Sequence, residues 1–452
     1  MRWPSFAPGS SQALSLMPER AVVRKVSRRL LGFLFLLYVF SFLDRINIGF
    51  AALTMVPDLG LSGVEFGVAT ALFYAAYIVC GVPGNIMLAR LGARRWISAI
   101  MIAWGVASTL TFLSRGPASL YVLRVVVGMT EAGFLPGMLL YLTFWFPPAW
   151  RARANALFMI AQPVTAAVGS AVSGYVLALD GTVGLKGWQW LFLLEGMPSV
   201  LLGMIVFVWL DDSPQHARWL SAAEKRALQA QLTPAAVPVS AASAPRSLVA
   251  ELLSPAVLRF SVAYFCLVNS LAMIVWMPLI IKTLDGVHGN RSVGMVAAIP
   301  QAASIVLMIL WGRHSDHTQE RRWHLLLPML AAASGWLIAA APGHTVLRVT
   351  GLCIAVAGSY AAMSIFWTIP DRLLSPQRRA VGIAAINAIG NLGSALNPLA
   401  VGWLRDYTHS FAAGLTFAAL LLACGAGFAL WTPARNEPEI LAYDTSTNAD
   451  TQ

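Results

Sequence analysis

Long apolar runs separated by short polar intervals recur along the whole chain. Each run is about 18 to 25 residues long, enough for an α-helix to cross a hydrocarbon layer of about 30 Å. The pattern predicts twelve such spans, with approximate ranges 30–53, 66–88, 96–113, 119–146, 152–178, 189–210, 257–282, 293–312, 323–341, 345–368, 380–401 and 410–432. The chain is therefore predicted to be an all-α membrane protein.

The longest polar interval, 211–256, divides the spans into two sets of six. It contains TPAAVPVSAASAPRS, whose Ala, Pro and Ser content is typical of a linker. The predicted organisation is a cytoplasmic N-terminal tail at 1–29, a six-helix bundle at 30–210, a cytoplasmic linker at 211–256, a second six-helix bundle at 257–432 and a cytoplasmic C-terminal tail at 433–452.

Two pairs of segments indicate that the halves are related. GNIMLARLGARRW follows span two and GRHSDHTQERRW follows span eight, while RARANALFMIAQPVTAAVGSA in span five is matched by RRAVGIAAINAIGNLGSA in span eleven. Repeated halves favour a pseudo-symmetric transporter with a central site where the halves meet. Chance similarity between apolar helices is the alternative.

Composition supports the membrane assignment, since 58% of the 452 residues are hydrophobic, 11% are charged and the mean hydropathy is +0.68. The net charge of +11 is distributed by topology, because most basic residues fall in alternate polar intervals. The positive-inside rule then places both termini in the cytoplasm. The charge balance therefore needs no nucleic-acid partner.

Cysteine and histidine chemistry contributes little to the predicted function. The four cysteines lie singly inside spans, as small apolar residues do, and indicate no disulfide framework. The seven histidines lie in loops or at helix ends, and HExxH is absent. His314 and His317 have ligand-like spacing, but they belong to the basic repeat after span eight. No metal or cofactor is expected, and a membrane-embedded enzyme is disfavoured.

Five charged residues fall inside predicted spans: Asp44 and Arg45 in span one, Arg124 and Glu131 in span four, and Glu195 in span six. An ionised side chain at the bilayer centre costs about 2.5 to 3.5 kcal/mol on insertion scales, so each is a functional candidate. Asp44 and Arg124 are expected at similar depths, and Arg124 and Glu131 lie two turns apart on one helix face. The first four residues are thus predicted to face one cavity, with Asp44 near Arg124.

The chemistry of these side chains suggests anion and proton binding. Arg45 presents a fixed positive fork for a carboxylate, and Asp44 is a proton acceptor whose protonation depends on its neighbours. The alternative is a structural ion pair of Asp44 with Arg124, with Arg45 extending toward the membrane interface. For Glu195, in LFLLEGMPSV, a structural role is favoured.

The basic loops resemble the Gly-x-x-x-Asp-Arg-x-Gly-Arg-Arg signature of the major facilitator superfamily, with Asp316 in the second copy and Ala89 in place of the usual Asp in the first. DRINIGFAALTM, EAGFLPGMLLYLTFWFP and GWQWLFLLEGMPSV are similar to the anion:cation symporter branch, which includes tartrate, phthalate, galactonate and 4-hydroxyphenylacetate permeases. Among these permeases, the three stretches most resemble the 4-hydroxyphenylacetate permease. The resemblance implies twelve transmembrane helices in two pseudo-symmetric six-helix bundles.

The resemblance also implies roles for individual residues. Asp44 and Glu131 match the protonatable pair of this branch, with Arg124 beside them, and Arg45 matches the arginine that binds the substrate carboxylate. The residues implied to line the pocket are Tyr77, Gln162, Ser364, Trp367 and Asn387.

We therefore expect a proton-coupled symporter of the bacterial cytoplasmic (inner) membrane, active as a monomer, that imports 4-hydroxyphenylacetate or a related aromatic acid by alternating access. A sugar-acid or dicarboxylate symporter is the alternative. A drug or metabolite antiporter is disfavoured, because span five has Pro163 but lacks the Gly-Pro pair common in such proteins.

Overall fold

A computed structural model describes residues 10–232, 254–369 and 376–430. Helices make up most of these residues, and no strand occurs within them. The predicted C-terminal tail, residues 1–9 of the predicted N-terminal tail and residues 233–253 of the predicted linker lie outside the described residues. The predicted all-α class is confirmed.

Eight helices precede the interval predicted as a linker. They are α1 (Ser10–Asp58), α2 (Gly63–Leu91), α3 (Ala93–Leu110), α4 (Pro117–Glu131), α5 (Phe134–Trp145), α6 (Pro148–Met159), α7 (Ala161–Val176) and α8 (Gly187–Trp209). Predicted spans four and five are each formed by two helices, because the chain turns at residues 132–133 and again at Ile160. The first of these turns directly follows Glu131, the last residue of α4.

The remaining described helices begin with a short one outside the predicted spans. They are α9 (Ala222–Leu232), α10 (Pro255–Ala272), α11 (Met277–Lys282), α12 (Gly289–Thr318), α13 (Arg322–Ala340), α14 (Thr345–Phe366), α15 (Pro376–Thr408) and α16 (Ala412–Ala429). A 3₁₀ turn at Met273–Val275 separates α10 from α11 within predicted span seven.

Among the described residues, eleven helical stretches are long and apolar enough to cross a membrane, and each overlaps one of the predicted spans. The twelfth predicted span, 380–401, lies within α15, a helix of 33 residues. Asn387, Asn391 and Asn397 lower the hydropathy of this helix.

The chain forms two compact units. The first comprises the described residues within Met1–Pro245, Ala272–Ala302 and Ser394–Gly414, and the second those within Arg246–Leu271, Ala303–Gly393 and Leu415–Gln452. In the second unit, α13 and α14 pack closely, since a Cβ on Gly335 would lie 2.5 Å from the Ala355 nitrogen. In the first unit, glycines allow the same approach between α2 and α4.

Gly128 and Gly133 bring α2 against α4 and α5. A Cβ on Gly128 would lie 2.3 Å from the carbonyl oxygen of Phe73, and one on Gly84 would lie 2.8 Å from the Cα of Gly133. Only a residue without a side chain permits these distances, so the backbones around Glu131 are held close together.

Both polar segments that flank the first six spans contain folded residues. α1 begins inside the interval predicted as a tail, and Val22, Val23 and Val26 are buried in the core of the first unit. In the interval predicted as a linker, Leu228 of α9 is buried and the Trp219 ring stacks on Trp145 at 5.6 Å. These apolar side chains within polar segments explain why the segments pack against the helices.

Candidate functional site

Four of the five predicted intramembrane charges meet between α1 and α4 in the first unit. Asp44 and Arg45 lie on adjacent positions of α1, and Arg124 and Glu131 lie two turns apart on α4. The Asp44, Arg124 and Glu131 residues are at most 2% exposed. The helical repeat predicts that Arg124 and Glu131 lie on one face of α4, and both are buried on that helix.

Arg45 and Glu131 form a direct ion pair. The Arg45 Nε donates to Glu131 Oε1 at 2.6 Å, and the Ser41 hydroxyl donates to the same oxygen at 3.1 Å. The second carboxylate oxygen, Oε2, has no hydrogen-bond partner among the described residues. Because the Glu131 side chain is fully buried, its charge depends on Arg45 for compensation.

Aromatic rings of α2 cover the Arg45 guanidinium. Its Cζ lies 4.5 Å from the ring centre of Tyr77 and 6.0 Å from that of Phe73. The two rings are themselves stacked, with centres 6.1 Å apart. The predicted pocket residue Tyr77 therefore contacts Arg45 by a cation–π interaction.

Asp44 is bound by hydroxyl and amide groups. Its Oδ1 accepts from the Ser108 hydroxyl of α3 at 2.7 Å and from Asn47 Nδ2 at 3.4 Å, whereas Oδ2 has no partner in the described part of the chain. The charges of Asp44 and Arg124 interact. Arg124 Nε and Nη2 nevertheless lack hydrogen-bond partners among the described residues, and its guanidinium lies 5.6 Å from the Phe192 ring centre.

A small cavity separates the two arginines. It is lined by Arg45, Ile48, Thr70, Phe73, Tyr74 and Arg124. At about 10 Å³ the cavity holds little more than one water molecule, and the Thr70 hydroxyl donates to the Phe66 oxygen within α2. The two guanidinium groups are therefore the charged donors that this site offers to an organic anion.

The fifth charge, Glu195 of α8, is buried near Asp44. Its Oε1 accepts from the Ser173 hydroxyl of α7 at 3.1 Å. Glu195 interacts electrostatically with Asp44 and by a side-chain hydrogen bond with Asn47. The sequence identified this residue as an intramembrane charge and favoured a structural role for it.

Ser41, Asn47 and Ser108 are site residues that sequence reasoning missed. Ser41 and Asn47 lie three residues before and after Asp44, so the helical repeat places all three near one face of α1. This spacing was a usable signal. Ser108 lies on α3 and is near Asp44 only in the folded protein.

The remaining predicted pocket residues lie elsewhere in the chain. Gln162 is half-buried on α7 of the first unit. Three belong to the second unit: the Ser364 hydroxyl donates to the Ala361 oxygen at 2.7 Å, the Trp367 ring centre lies 4.8 Å from that of Tyr264, and the exposed Asn387 accepts from Asn391 Nδ2 at 3.0 Å.

The histidines of the basic repeat have other partners. His314 Nδ1 lies 2.7 Å from His324 Nε2, and His324 Nδ1 lies 2.6 Å from a Glu320 oxygen. Partial burial acts to raise the pKa of Glu320, but hydrogen bonds from the Trp323 amide and from His324 hold this pKa below its usual range. No group of three potential metal ligands occurs within residues 10–232, 254–369 and 376–430.

Membrane-spanning helices around a buried ion pair and an arginine-lined cavity are the arrangement of a solute transporter. The chain belongs to the Major Facilitator Superfamily, whose family model matches residues 34–398. The predicted superfamily is confirmed.

Individual relatives are similar over nearly the full chain. An Agrobacterium vitis protein named "Putative tartrate transporter" is 41% identical over 95% of this chain and 94% of its own length. A "Quinolone resistance transporter" of Acinetobacter baumannii is 34% identical over 90% of this chain and 94% of its own. A crystal structure of a bacterial homologue of the human lysosomal transporter Spinster matches with a TM-score of 0.74 at 18% identity, covering 92% of this chain and 97% of that chain, which shows the shared fold.

Proposed function

We propose that this protein is a proton-coupled symporter of the anion:cation branch that imports a small organic carboxylate across the bacterial cytoplasmic membrane. The observation that carries the proposal is the cavity lined by Arg45 and Arg124, with the buried carboxylate of Glu131 bound to Arg45. The helices around the cavity must separate further to admit an anion, which then meets two guanidinium groups. It competes with Glu131 for one of them.

This competition supplies the coupling between anion and proton. While Glu131 is ionised, its carboxylate occupies the Arg45 Nε at 2.6 Å. A proton on Glu131 removes the negative charge that binds Arg45, and the substrate carboxylate then binds Arg45 in place of Glu131. Release of the proton into the less acidic cytoplasm restores the ion pair and expels the anion. Net uptake therefore follows the proton gradient.

Asp44 is proposed as the second proton acceptor, and Arg124 as the base that balances its charge. The Ser108 hydroxyl holds Asp44 at 2.7 Å, while the electrostatic interaction with Arg124 depends on the protonation of Asp44. A neutral Asp44 leaves Arg124 without its counter-charge. Arg124 is then available to the anion in the same cavity.

The rings beside Arg45 favour an aromatic acid, 4-hydroxyphenylacetate in the first instance. Phe73 and Tyr74 line the cavity, and Tyr77 lies over the Arg45 guanidinium. Flat surfaces beside a cation suit an aryl ring attached to a carboxylate. Tartrate is the second candidate, because two relatives at 41% identity are named as tartrate transporters.

The other proposed features come from the sequence. Gln162, Ser364, Trp367 and Asn387 are proposed substrate-binding residues because they match pocket positions of the branch. Cytoplasmic termini are proposed from the distribution of basic residues. A monomer is proposed as the active form.

Uptake by purified protein in liposomes tests the function. Labelled 4-hydroxyphenylacetate and tartrate are offered with and without an inward proton gradient, and ciprofloxacin is included because of the quinolone-resistance relative. We expect accumulation of a carboxylate that stops when an uncoupler removes the gradient. Equal accumulation in the absence of a gradient would contradict proton coupling.

Two substitutions separate the proposed roles. Arg45→Ala should abolish anion binding, whereas Glu131→Gln should retain anion exchange and lose gradient-driven accumulation. The matched control is Glu65→Gln, since Glu65 lies at the start of α2 in a capping box that glutamine also satisfies. Normal concentrative uptake by Glu131→Gln would remove Glu131 from the mechanism.

A further inference from the structure

One buried carboxylate of the first unit has no part in the coupling scheme above. Glu195 is 4% exposed and lies within the membrane-spanning helix α8. Its Oε1 accepts from Ser173, but its Oε2 has no partner among the described residues. An ionisable side chain in this position is costly to retain, which makes it a functional candidate.

Asn47 connects Glu195 to Asp44. Its Nδ2 donates to Asp44 Oδ1 at 3.4 Å, and its side chain also interacts with Glu195. Three acceptor atoms of this group lack a donor within the part of the chain that the structure describes, namely Asp44 Oδ2, Asn47 Oδ1 and Glu195 Oε2. The Trp104 indole of α3 also interacts with Asp44, so the shortage of donor hydrogens is clearest at Asn47 Oδ1 and Glu195 Oε2, since buried acceptors are normally hydrogen-bonded.

The buried charges do not balance if every carboxylate is ionised. Asp44, Glu131 and Glu195 would provide three negative charges against the two positive charges of Arg45 and Arg124. Arg45 is bound to Glu131, and the charge of Arg124 acts on Asp44 and Glu131. The charged group that interacts with Glu195 is the Asp44 carboxylate, and two negative charges repel each other. An uncompensated buried carboxylate is strongly unfavourable, and a proton removes the imbalance.

We propose that Asp44 and Glu195 share one proton, and that Glu195 thereby sets the pH at which Asp44 releases its proton during transport. Glu195 is a positioning residue in this scheme, because it acts through Asp44. The groups that face the pair from the helices packed around it are Asn47 on α1, Trp104 and Ser108 on α3, Arg124 and Glu131 on α4, and Ser173 on α7.

The shared proton accounts for the missing donor. A protonated carboxyl of Glu195 donates its O–H to a neighbouring acceptor, and an ionised Asp44 keeps the hydrogen bonds from Ser108 and Asn47. When the proton leaves, two nearby carboxylates are both charged and repel each other. The pair therefore retains its last proton to a higher pH than Asp44 alone would.

Infrared spectroscopy tests the shared proton without any transport. Purified wild-type protein at pH 7 should show the C=O stretch of a protonated carboxylic acid. The band should be absent in Glu195→Gln and present in the control Glu65→Gln. Absence of the band from the wild type, or an unchanged band in Glu195→Gln, would overturn the proposal. If Glu195→Gln does not fold, Glu195→Asp makes the assignment instead, because a shorter acid at this position should shift the band, and an unshifted band would overturn the proposal.

The pH profile of transport tests the effect on Asp44, and this part rests on the proposed function. In Glu195→Gln the alkaline limb of 4-hydroxyphenylacetate exchange should move to lower pH by about one unit or more, because a like charge is removed. Glu195→Asp should keep the wild-type position. Coincident profiles for wild type and Glu195→Gln would overturn the proposal. If no variant transports a carboxylate, the proposed function fails, while the infrared band still decides this inference.

Discussion

Glu131→Gln should make anion binding tighter and less dependent on pH. In the wild type, the Glu131 carboxylate accepts from Arg45 Nε at 2.6 Å and competes with the substrate for the same guanidinium. Glutamine has nearly the same shape and keeps an amide oxygen that accepts a hydrogen bond. It lacks the negative charge. The substitution therefore weakens the competitor without removing it.

The magnitude follows from the type of hydrogen bond. A hydrogen bond to a charged group contributes about 1.5 to 3 kcal/mol, and in the variant one of the two charged partners, Arg45, remains. If loss of the second charge removes about half of this contribution, the competing interaction weakens by about 0.75 to 1.5 kcal/mol. Each 1.4 kcal/mol corresponds to about a tenfold change in affinity. We expect anion binding at pH 8 to tighten by about three- to tenfold in the variant.

Isothermal titration of detergent-purified protein at pH 6 and pH 8 measures this effect. Because a proton on Glu131 frees Arg45 in the proposed scheme, the wild type should bind the carboxylate more tightly at pH 6 than at pH 8. In Glu131→Gln the difference between the two affinities should be smaller, with only the Asp44 contribution remaining, and Glu65→Gln should behave as the wild type. A Glu131→Gln variant with the pH dependence of the wild type would refute competition for Arg45.

Further predictions concern packing and capping. Gly128→Ala should lower the free energy of unfolding by about 1 to 3 kcal/mol, seen as a lower Tm, because the added Cβ would lie 2.3 Å from a backbone oxygen of α2. Gly32→Ala is the control, since nothing lies within 4 Å of a Cβ at that position. Asp406→Ala should cost about 1 kcal/mol in thermal unfolding, since it removes the acceptor for two amides at the start of α2. A hydrogen bond from Lys25 holds the pKa of Glu224 below its usual value of 4.5, so the pair stabilises the fold above that pH and its contribution is lost as pH falls through the lowered value. Glu224→Gln should therefore lower the Tm slightly at pH 7, by under about 1 kcal/mol, and not in acid.

Much of the fold could be predicted from the sequence, because membrane spans are long and uniformly apolar. The least apolar span, on α15, was still recognisable by its length and by its repeat of span five. The turn at 132–133 could not be predicted, since Gly133 is also compatible with a continuous helix. The packing of Leu228 depends on residues far away in the chain, which no local pattern reveals.

The charged residues of the site could be predicted from the sequence, whereas the ion pair and hydrogen bonds between them could be predicted only in part. Burial of a charge in an apolar run is visible in the sequence, and this identified Asp44, Arg45, Arg124 and Glu131. Depth along a helix suggested that Asp44 would be near Arg124, and their charges do interact. The direct bond between Arg45 and Glu131 depends on the rotation of α1 about its axis and on the approach of α2 to α4, neither of which helix length specifies.

The contact between Asp406 of α15 and the start of α2 is suited to repeated opening. The carboxylate accepts from the Gly63 and Val64 amides, while the next amide, that of Glu65, is satisfied by Ser62 within α2 itself. If α15 withdraws, water can replace Asp406 at these two amides, because helix ends are readily hydrated. The start of α2 then stays hydrated and helical, so the two hydrogen bonds to Asp406 can form again when α15 returns.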